Sequence, residues 1–239
     1  MNFIKFDTID STNDFLKNWV IDNSLQNFFY VYADFQTKGK GQRANVWEAE
    51  QGKNLLISFY LKPNFSPKKQ FLISQIVSIS IVELLETFNI SGVAIKYPND
   101  ILAERKKISG VLIENIIQRK TIKHSIIGIG LNVNQTSFCN LPNATSIKKI
   151  INQDVDIELL IVKLSSLIKN NYQRDEKYIS KQYLKYLFYK GKKNTFMTDK
   201  KTYNGELIGF DPNTERIVIL NNDEKIEIPV RTIEKAEFI

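Results

Sequence analysis

The sequence predicts an α+β fold, a mixed sheet with helices on one face, followed by a small β-barrel. Short runs rich in β-formers recur along the first 133 residues, some close enough together to pair as hairpins. Segments of helical periodicity lie among and after these runs. From about Lys192 the pattern changes to five short strand-like runs separated by turn signals, as in a small barrel.

Residues 1–10 read as a strand, and Ser11 as the N-cap of an amphipathic helix through Trp19. Residues 28–33 and 54–61 read as the next two strands, with a Gly- and Lys-containing segment between them too irregular for either element. Ser66 and Pro67, a cap followed by proline at the first helical position, begin a long apolar-faced helix to about Phe88. Residues 93–96, 108–115 and 121–133 continue the strands, and 156–188 reads as helical. The five C-terminal runs are 194–198, 202–210, 215–220, 225–229 and 232–238, with turns at 211–213 and 221–223. Two domains are expected, residues 1–190 and residues 191–239.

A chain of 239 residues with 43% hydrophobic and 25% charged residues is of ordinary globular composition, long enough for one sizeable core and a small second domain. Apolar stretches such as 71–82 are broken by Ser and Gln and are too short to span a membrane. The first residues run directly into an alternating strand pattern, without the layout of a signal peptide. A lone cysteine, Cys139, excludes an internal disulfide and suits a reducing compartment, so a cytoplasmic location is expected. The net charge of +7 is unevenly shared: residues 191–239 hold 8 Lys/Arg and 9 Asp/Glu, and residues 1–190 hold 25 and 17. That excess suits a nucleic acid, an anionic nucleotide or an acidic partner, and equally a lysine-rich solvated surface. Charge alone does not choose.

Four segments carry chemistry. In residues 38–58, KGKGQRANVWEAEQGKNLLIS, Gly39 and Gly41 bracket Lys40, and Arg43 and Trp47 follow. Glycines let backbone N–H groups approach an anion, the cations match phosphate or carboxylate, and an indole can stack on a nucleobase. The same residues also describe a mobile surface loop over a buried tryptophan, and the P-loop pattern GxxxxGK[ST] is absent. Residues 96–100, KYPND, set a cation (Lys96), an amide (Asn99) and a carboxylate (Asp100) around a proline. Residues 106–114, KKISGVLIE, place two lysines at the start of an apolar strand. Residues 128–134, GIGLNVN, put Gly128 and Gly130 on one strand face and leave it bare for a flat or extended ligand. Each also has a plain structural reading as a turn, a snorkelling lysine pair or a strand bend.

In this combination and order the segments resemble the biotin–protein ligase family, whose pattern reads approximately GRGRxGRxW…GxNLxxS, KWPND, KxxGxLxE and GxGxNV. Ser11, Thr12 and Asn13 are similar to the family's STN element, and Gln36 to the glutamine before its glycine loop. The resemblance runs from Ser11 to about Val133. It implies a catalytic domain of the type shared with lipoate ligases, followed by a Src-homology-3-like barrel. It also implies a two-step reaction, in which biotin and ATP form biotinyl-5′-AMP and the acyl group passes to a lysine of a biotin carboxyl carrier protein or domain. Mg2+ would accompany the nucleotide, with its protein ligands unassigned.

By the same resemblance Ser11, Thr12, Asn13 and Gln36 line the pocket for the biotin head. Hydroxyl and amide groups suit a ureido ring that offers N–H donors and a carbonyl acceptor. Gly39, Lys40, Gly41 and Gln42 form a loop that closes on biotin or its adenylate. Lys107 is the catalytic lysine between the biotin carboxylate and the α-phosphate, with Lys40 and Asp100 as its catalytic companions. Gly110, Gly128 and Gly130 admit biotin closely. Arg43, Trp47, Lys96, Asn99 and Asn132 serve ATP or the adenylate, Trp47 by stacking on adenine and Asn132 by bonding its edge.

Lys40, Gln42 and Asn45 stand where the family often has arginine, Ala44 where it usually has glycine, and Tyr97 where it has tryptophan. Lysine lacks the bidentate fork of arginine, which leaves the roles of Gln42 and Arg43 open. The first strand begins near residue 3 with no helix-turn-helix before it, so a ligase without repressor activity is expected. No nucleic-acid or membrane partner is expected, and the oligomeric state is left open, a homodimer included. The nearest rival is a lipoate or octanoate ligase or transferase on the same fold, whose tail would leave a Ser–Thr–Asn–Gln pocket unused. A nucleic-acid-binding protein is the rival from another class; steeply salt-dependent binding would mark it.

Overall fold

The structure is a computed structural model that describes residues 3–22, 24–42, 45–139, 141–188, 190–211, 214, 216–229 and 232–238. Its first sheet contains β1 (Phe3–Ile9), β2 (Phe29–Gln36), β3 (Asn54–Leu61), β4 (Ala94–Lys96), β5 (Asp100–Ala103), β6 (Lys106–Gln118) and β7 (Thr121–Asn132). The spatial order is β1-β2-β3-β7-β6-β5-β4, with β1 and β2 parallel and every other neighbour antiparallel. The sheet is mixed, as expected. All eight residues of β3 are buried, which marks it as the strand covered on both faces.

What covers it differs from the expectation of helices on one face. The helices are α1 (Thr12–Asp22), α2 (Gln70–Glu86), α3 (Ile147–Ile151), α4 (Ile157–Tyr172) and α5 (Glu176–Tyr186). Strand residues alternate between faces, and Tyr30, Tyr32, Phe59 and Ile127 join the core formed with α2, α4 and α5. Their neighbours Val31, Tyr60 and Ile126 point the other way and pack against Leu16 and Val20 of α1. In α2, fourteen of seventeen residues are buried, as befits a helix enclosed on several sides. Asn171 of α4 reaches into this layer and donates to Ser80 (3.1 Å) and Glu83 (2.7 Å). α1 covers only one end of the opposite face, and the remainder of that face is where the cavity lies.

Local signals explain most boundaries. Ser66 caps a short 3-10 turn, Pro67–Lys69, that leads into α2. The helical stretch expected over 156–188 is divided into α4 and α5, because Asp175 accepts from the N–H groups of Lys177 and Tyr178 and starts α5 afresh. β5 and α3, four and five residues long, were not expected.

The second sheet comprises β8 (Lys193–Thr198), β9 (Thr202–Asp211), β10 (Arg216–Asn221), β11 (Glu224–Pro229) and β12 (Ile233–Phe238), all antiparallel in the order β11-β10-β9-β8-β12. This is consistent with a Src-homology-3-like domain. Asn222 and Asp223 adopt positive φ at the β10–β11 turn, the conformation that a tight hairpin needs. Residues 212 and 213 of the other expected turn lie outside the described residues. The sheet packs on the larger unit through Phe210, whose ring centroid is 5.1 Å from that of Phe71. Among the described residues no helix is long and apolar enough to cross a membrane.

Candidate active site

Strand register builds the floor of the site. Asp100, Gly110, Gly130 and Leu56 lie side by side across four strands, and Leu112, Gly128 and Ser58 form the next row. The three glycines leave a hollow on the α1 face, and a cavity of about 340 Å³ opens there. Protein side chains occupy part of the hollow. A β-carbon on Gly128 would overlap the amide of Asn13, and one on Gly130 would overlap the indole of Trp47. One on Gly110 would sit 3.0 Å from Trp47 Cζ3. The glycines thus make room for Asn13 and Trp47, and all three also reach the cavity wall beside them.

A β-bulge aims Lys107 into this cavity. Ile101 pairs with Ser109 but Leu102 with Lys107, so Ile108 is an extra residue in β6. Without it, two residues three apart would face opposite sides of the sheet. With it, Ile108 and Val111 are buried in the helix-side core, and Lys107 shares the cavity side with Gly110. The Lys107 ammonium lies 2.6 Å from Asp100 Oδ1 and 5.5 Å from the ring centroid of Trp47. Its backbone is held on both sides, donating to Asn143 O (2.7 Å) and accepting from Thr145 N (2.9 Å).

The other end of the cavity is neutral and polar. The first turn of α1 brings Ser11, Thr12 and Asn13 to the wall, all nearly inaccessible. Gln36 Oε1 accepts from both the backbone N–H (2.7 Å) and the hydroxyl (2.9 Å) of Thr12. Ser58, fully buried, lies 2.7 Å from Thr12 Oγ1 and 2.6 Å from Asn13 Oδ1. Asn13 Nδ2 donates to Glu114 Oε2 (3.1 Å), and the other oxygen of Glu114 accepts from Lys17 (2.8 Å). That hydrogen bond holds the Lys17 ammonium above the ordinary lysine range.

The glycine loop folds back on itself. Lys40 and Val46 form an antiparallel bridge, Gly41 N–H donates to Asn45 O (2.7 Å), and Trp47 N–H donates to Gly39 O (3.0 Å). Lys40 reaches the carboxylate of Asp14 at 2.7 Å, which ties the loop to α1. The Trp47 Nε1 donor is buried without a partner among the described residues.

Most of the expected site residues therefore meet at one cavity: the head group of four, Lys40, Gly41 and Gln42 of the loop, Trp47, and Lys96, Asn99, Asp100 and Lys107. Three do not. Gly39 is absent from the wall, and a β-carbon there would approach the Trp47 carbonyl at 2.6 Å, so its role is to close the loop. Asn132 is buried off the cavity wall and donates to Thr145 O (2.9 Å), which ties β7 to the segment that clamps Lys107. Arg43 lies outside the described residues. Sequence reasoning missed Ser58 and Glu114 as site-shaping residues, although both sit in the matched motifs. It also missed Ile233, which the second sheet contributes to the wall; an isolated isoleucine gives no signal of that kind.

Residues 5–132 match the model of the biotin/lipoate A/B protein ligase family. Among characterised relatives, the chain is 33% identical over 131 residues to the bifunctional ligase/repressor BirA of Bacillus spizizenii, covering 55% of this chain and 40% of that protein. It is 28% identical over 127 residues to the biotin–[acetyl-CoA-carboxylase] ligase of Paracoccus denitrificans, covering 52% and 51%. The matched regions thus span about half or less of those relatives' lengths. A solved structure of the biotin protein ligase of Aquifex aeolicus in complex with biotin and ATP superposes with a TM-score of 0.85 at 26% identity, covering 100% of this chain and 99% of that one.

Proposed function

Because the chain belongs to the biotin/lipoate A/B protein ligase family, we propose that it is a biotin–protein ligase acting in two steps on biotin, ATP and an acceptor lysine. The observation that carries this reading is that one cavity joins a neutral hydrogen-bonding end to a cationic end. Ser11, Thr12, Asn13 and Gln36 line the first, and Lys96 and Lys107 the second, with Lys40 of the glycine loop also on the wall. A ureido ring fits the neutral end, and a carboxylate facing a triphosphate fits the cations.

In the first step a biotin carboxylate oxygen bonds to the α-phosphorus, the bond from that phosphorus to the bridging oxygen breaks, and pyrophosphate leaves. The two reactants repel, and the Lys107 ammonium between them offsets that repulsion and the charge developing at phosphorus. Asp100, paired with Lys107, keeps its long side chain in place. Lys96 is paired with no carboxylate among the described residues and is available for phosphate. Trp47 and Asn99 flank the nucleotide, with the indole offering a flat face to adenine. The glycine loop, with Lys40 and Arg43, closes over the adenylate and excludes water. In the second step the neutral amine of the acceptor lysine attacks the acyl carbon, an amide bond forms, AMP leaves and the amine loses a proton.

Asp100 is the cavity's one acidic residue among those described, and no group of three or more His, Cys, Asp or Glu gathers to hold a metal. These residues fit an Mg2+ carried by the phosphates of ATP, with Asp100 as the protein's oxygen ligand. When bound, the ion neutralises phosphate charge. The acceptor is a biotin carboxyl carrier protein or domain, a reading supported by the relatives. We place the division of labour at residue 190, and the lone cysteine, exposed and unbridged, supports a cytoplasmic setting. Biotin-dependent exchange of pyrophosphate into ATP tests the first step without an acceptor.

A further inference from the structure

The hydrogen bonds at the neutral end run in one direction, and the two ends of the chain fix it. At one end stands Glu114, whose oxygens accept from Asn13 Nδ2 (3.1 Å) and Lys17 Nζ (2.8 Å). A carboxylate only accepts, so Asn13 must turn its NH2 toward Glu114 and its carbonyl oxygen toward Ser58. At the other end stands the backbone N–H of Thr12, which only donates. It therefore takes the carbonyl oxygen of Gln36 at 2.7 Å, and the Gln36 NH2 is left unspent among the described residues. The Thr12 hydroxyl gives its proton to the same Gln36 oxygen at 2.9 Å and presents lone pairs to Ser58.

Ser58 is then caught between two acceptors, Thr12 Oγ1 at 2.7 Å and Asn13 Oδ1 at 2.6 Å, with a single proton to share. All three residues are at least nine-tenths buried, so bulk water is a poor substitute. The head site is short of one donor at Thr12 and Asn13, and holds a spare donor at Gln36, with these three residues on the cavity wall.

We propose that Glu114 is a specificity-determining positioning residue: by orienting Asn13 it makes the head site demand a ligand N–H beside a carbonyl. This rests on the reading of the protein as a biotin–protein ligase and adds the reason a cyclic urea is selected. Glu114 acts through Asn13 and touches no ligand itself. Lipoate and octanoate tails bring no N–H donor, so they leave the acceptor surplus in place.

The experiment compares wild type, Glu114→Gln and Lys17→Met, with binding of biotin, a biotin analogue methylated on its ureido nitrogens, and ATP measured by calorimetry. Glutamine at 114 can present either a donor or an acceptor, so Asn13 is released to rotate. The expected result for Glu114→Gln is a loss of biotin affinity of about 10- to 100-fold, the range for leaving one buried polar group unsatisfied. ATP affinity is expected to stay unchanged, and the penalty for methylation, large in wild type, to shrink. Lys17→Met keeps the Glu114–Asn13 bond and should leave both affinities unchanged. Unchanged biotin affinity in a folded Glu114→Gln protein, or an equal loss for ATP, overturns the proposal. Should that variant not fold, wild type binding the methylated analogue as well as biotin overturns it too. Failure of wild type to bind biotin at all contradicts instead the ligase reading on which the proposal rests.

Discussion

Trp47 lies against Gly130 so closely that no β-carbon can be placed between them. The indole is seated in a cradle of two glycines, Gly110 and Gly130, with the Lys107 ammonium 5.5 Å from its centroid. Gly130→Ala should therefore expel the ring. Overpacking of this kind costs about 1–3 kcal/mol, so a lower Tm together with weakened ATP binding is expected. An alanine variant with unchanged Tm and ATP affinity would show that the ring does not need the cradle.

Trp47→Ala separates nucleotide recognition from packing. Stacking on a base is worth about 1–3 kcal/mol, so ATP affinity should fall roughly 10- to 100-fold while biotin affinity holds. A collapse in Tm with ATP affinity preserved in the folded fraction would assign the indole to packing alone.

Lys107→Ala should abolish adenylate formation in a protein that still folds, since the side chain is partly exposed and its main-chain bonds to Asn143 and Thr145 are untouched. Loss of a preorganised charge contact commonly costs about 10²–10³ in rate. Single-turnover formation of labelled biotinyl-adenylate measures it, and near-normal formation removes Lys107 from the mechanism.

The case of Lys107 also shows what the sequence made legible. Its motif pointed to the residue, but strand periodicity alone would have set Lys107 and Gly110 on opposite faces. The bulge at Ile108 that reunites them has no local signature, because it is set by pairing with β5, a four-residue strand that was itself not foreseen. The bare face of Gly128 and Gly130 was readable from their alternate spacing. That Asn13 and Trp47 would fill it was not, since both arrive from distant segments. Ser11 was readable as a cap, and its oxygen does accept from Asp14 N–H at 3.3 Å. The placement of α1 opposite the other helices depended on which parity of β2, β3 and β7 faces which layer, and buried strands rich on both faces hide that parity.

Lys40 pairs with Asp14 across partly exposed side chains, a contact worth about 0–1 kcal/mol. It is weak enough to yield to a phosphate, so Lys40→Ala should slow adenylate formation and speed its release. Arg43→Ala should do both less, and Gln42→Arg should be tolerated. Unchanged formation and release rates in both alanine variants would show that these charges are solvated surface.

The neutral and cationic ends of one cavity are expected to act together on biotin and ATP. ATP–pyrophosphate exchange with biotin, lipoate and octanoate in parallel tests this most directly. Exchange should depend on biotin, with little or none from the other two acids. Exchange driven by lipoate or octanoate and not by biotin would contradict this.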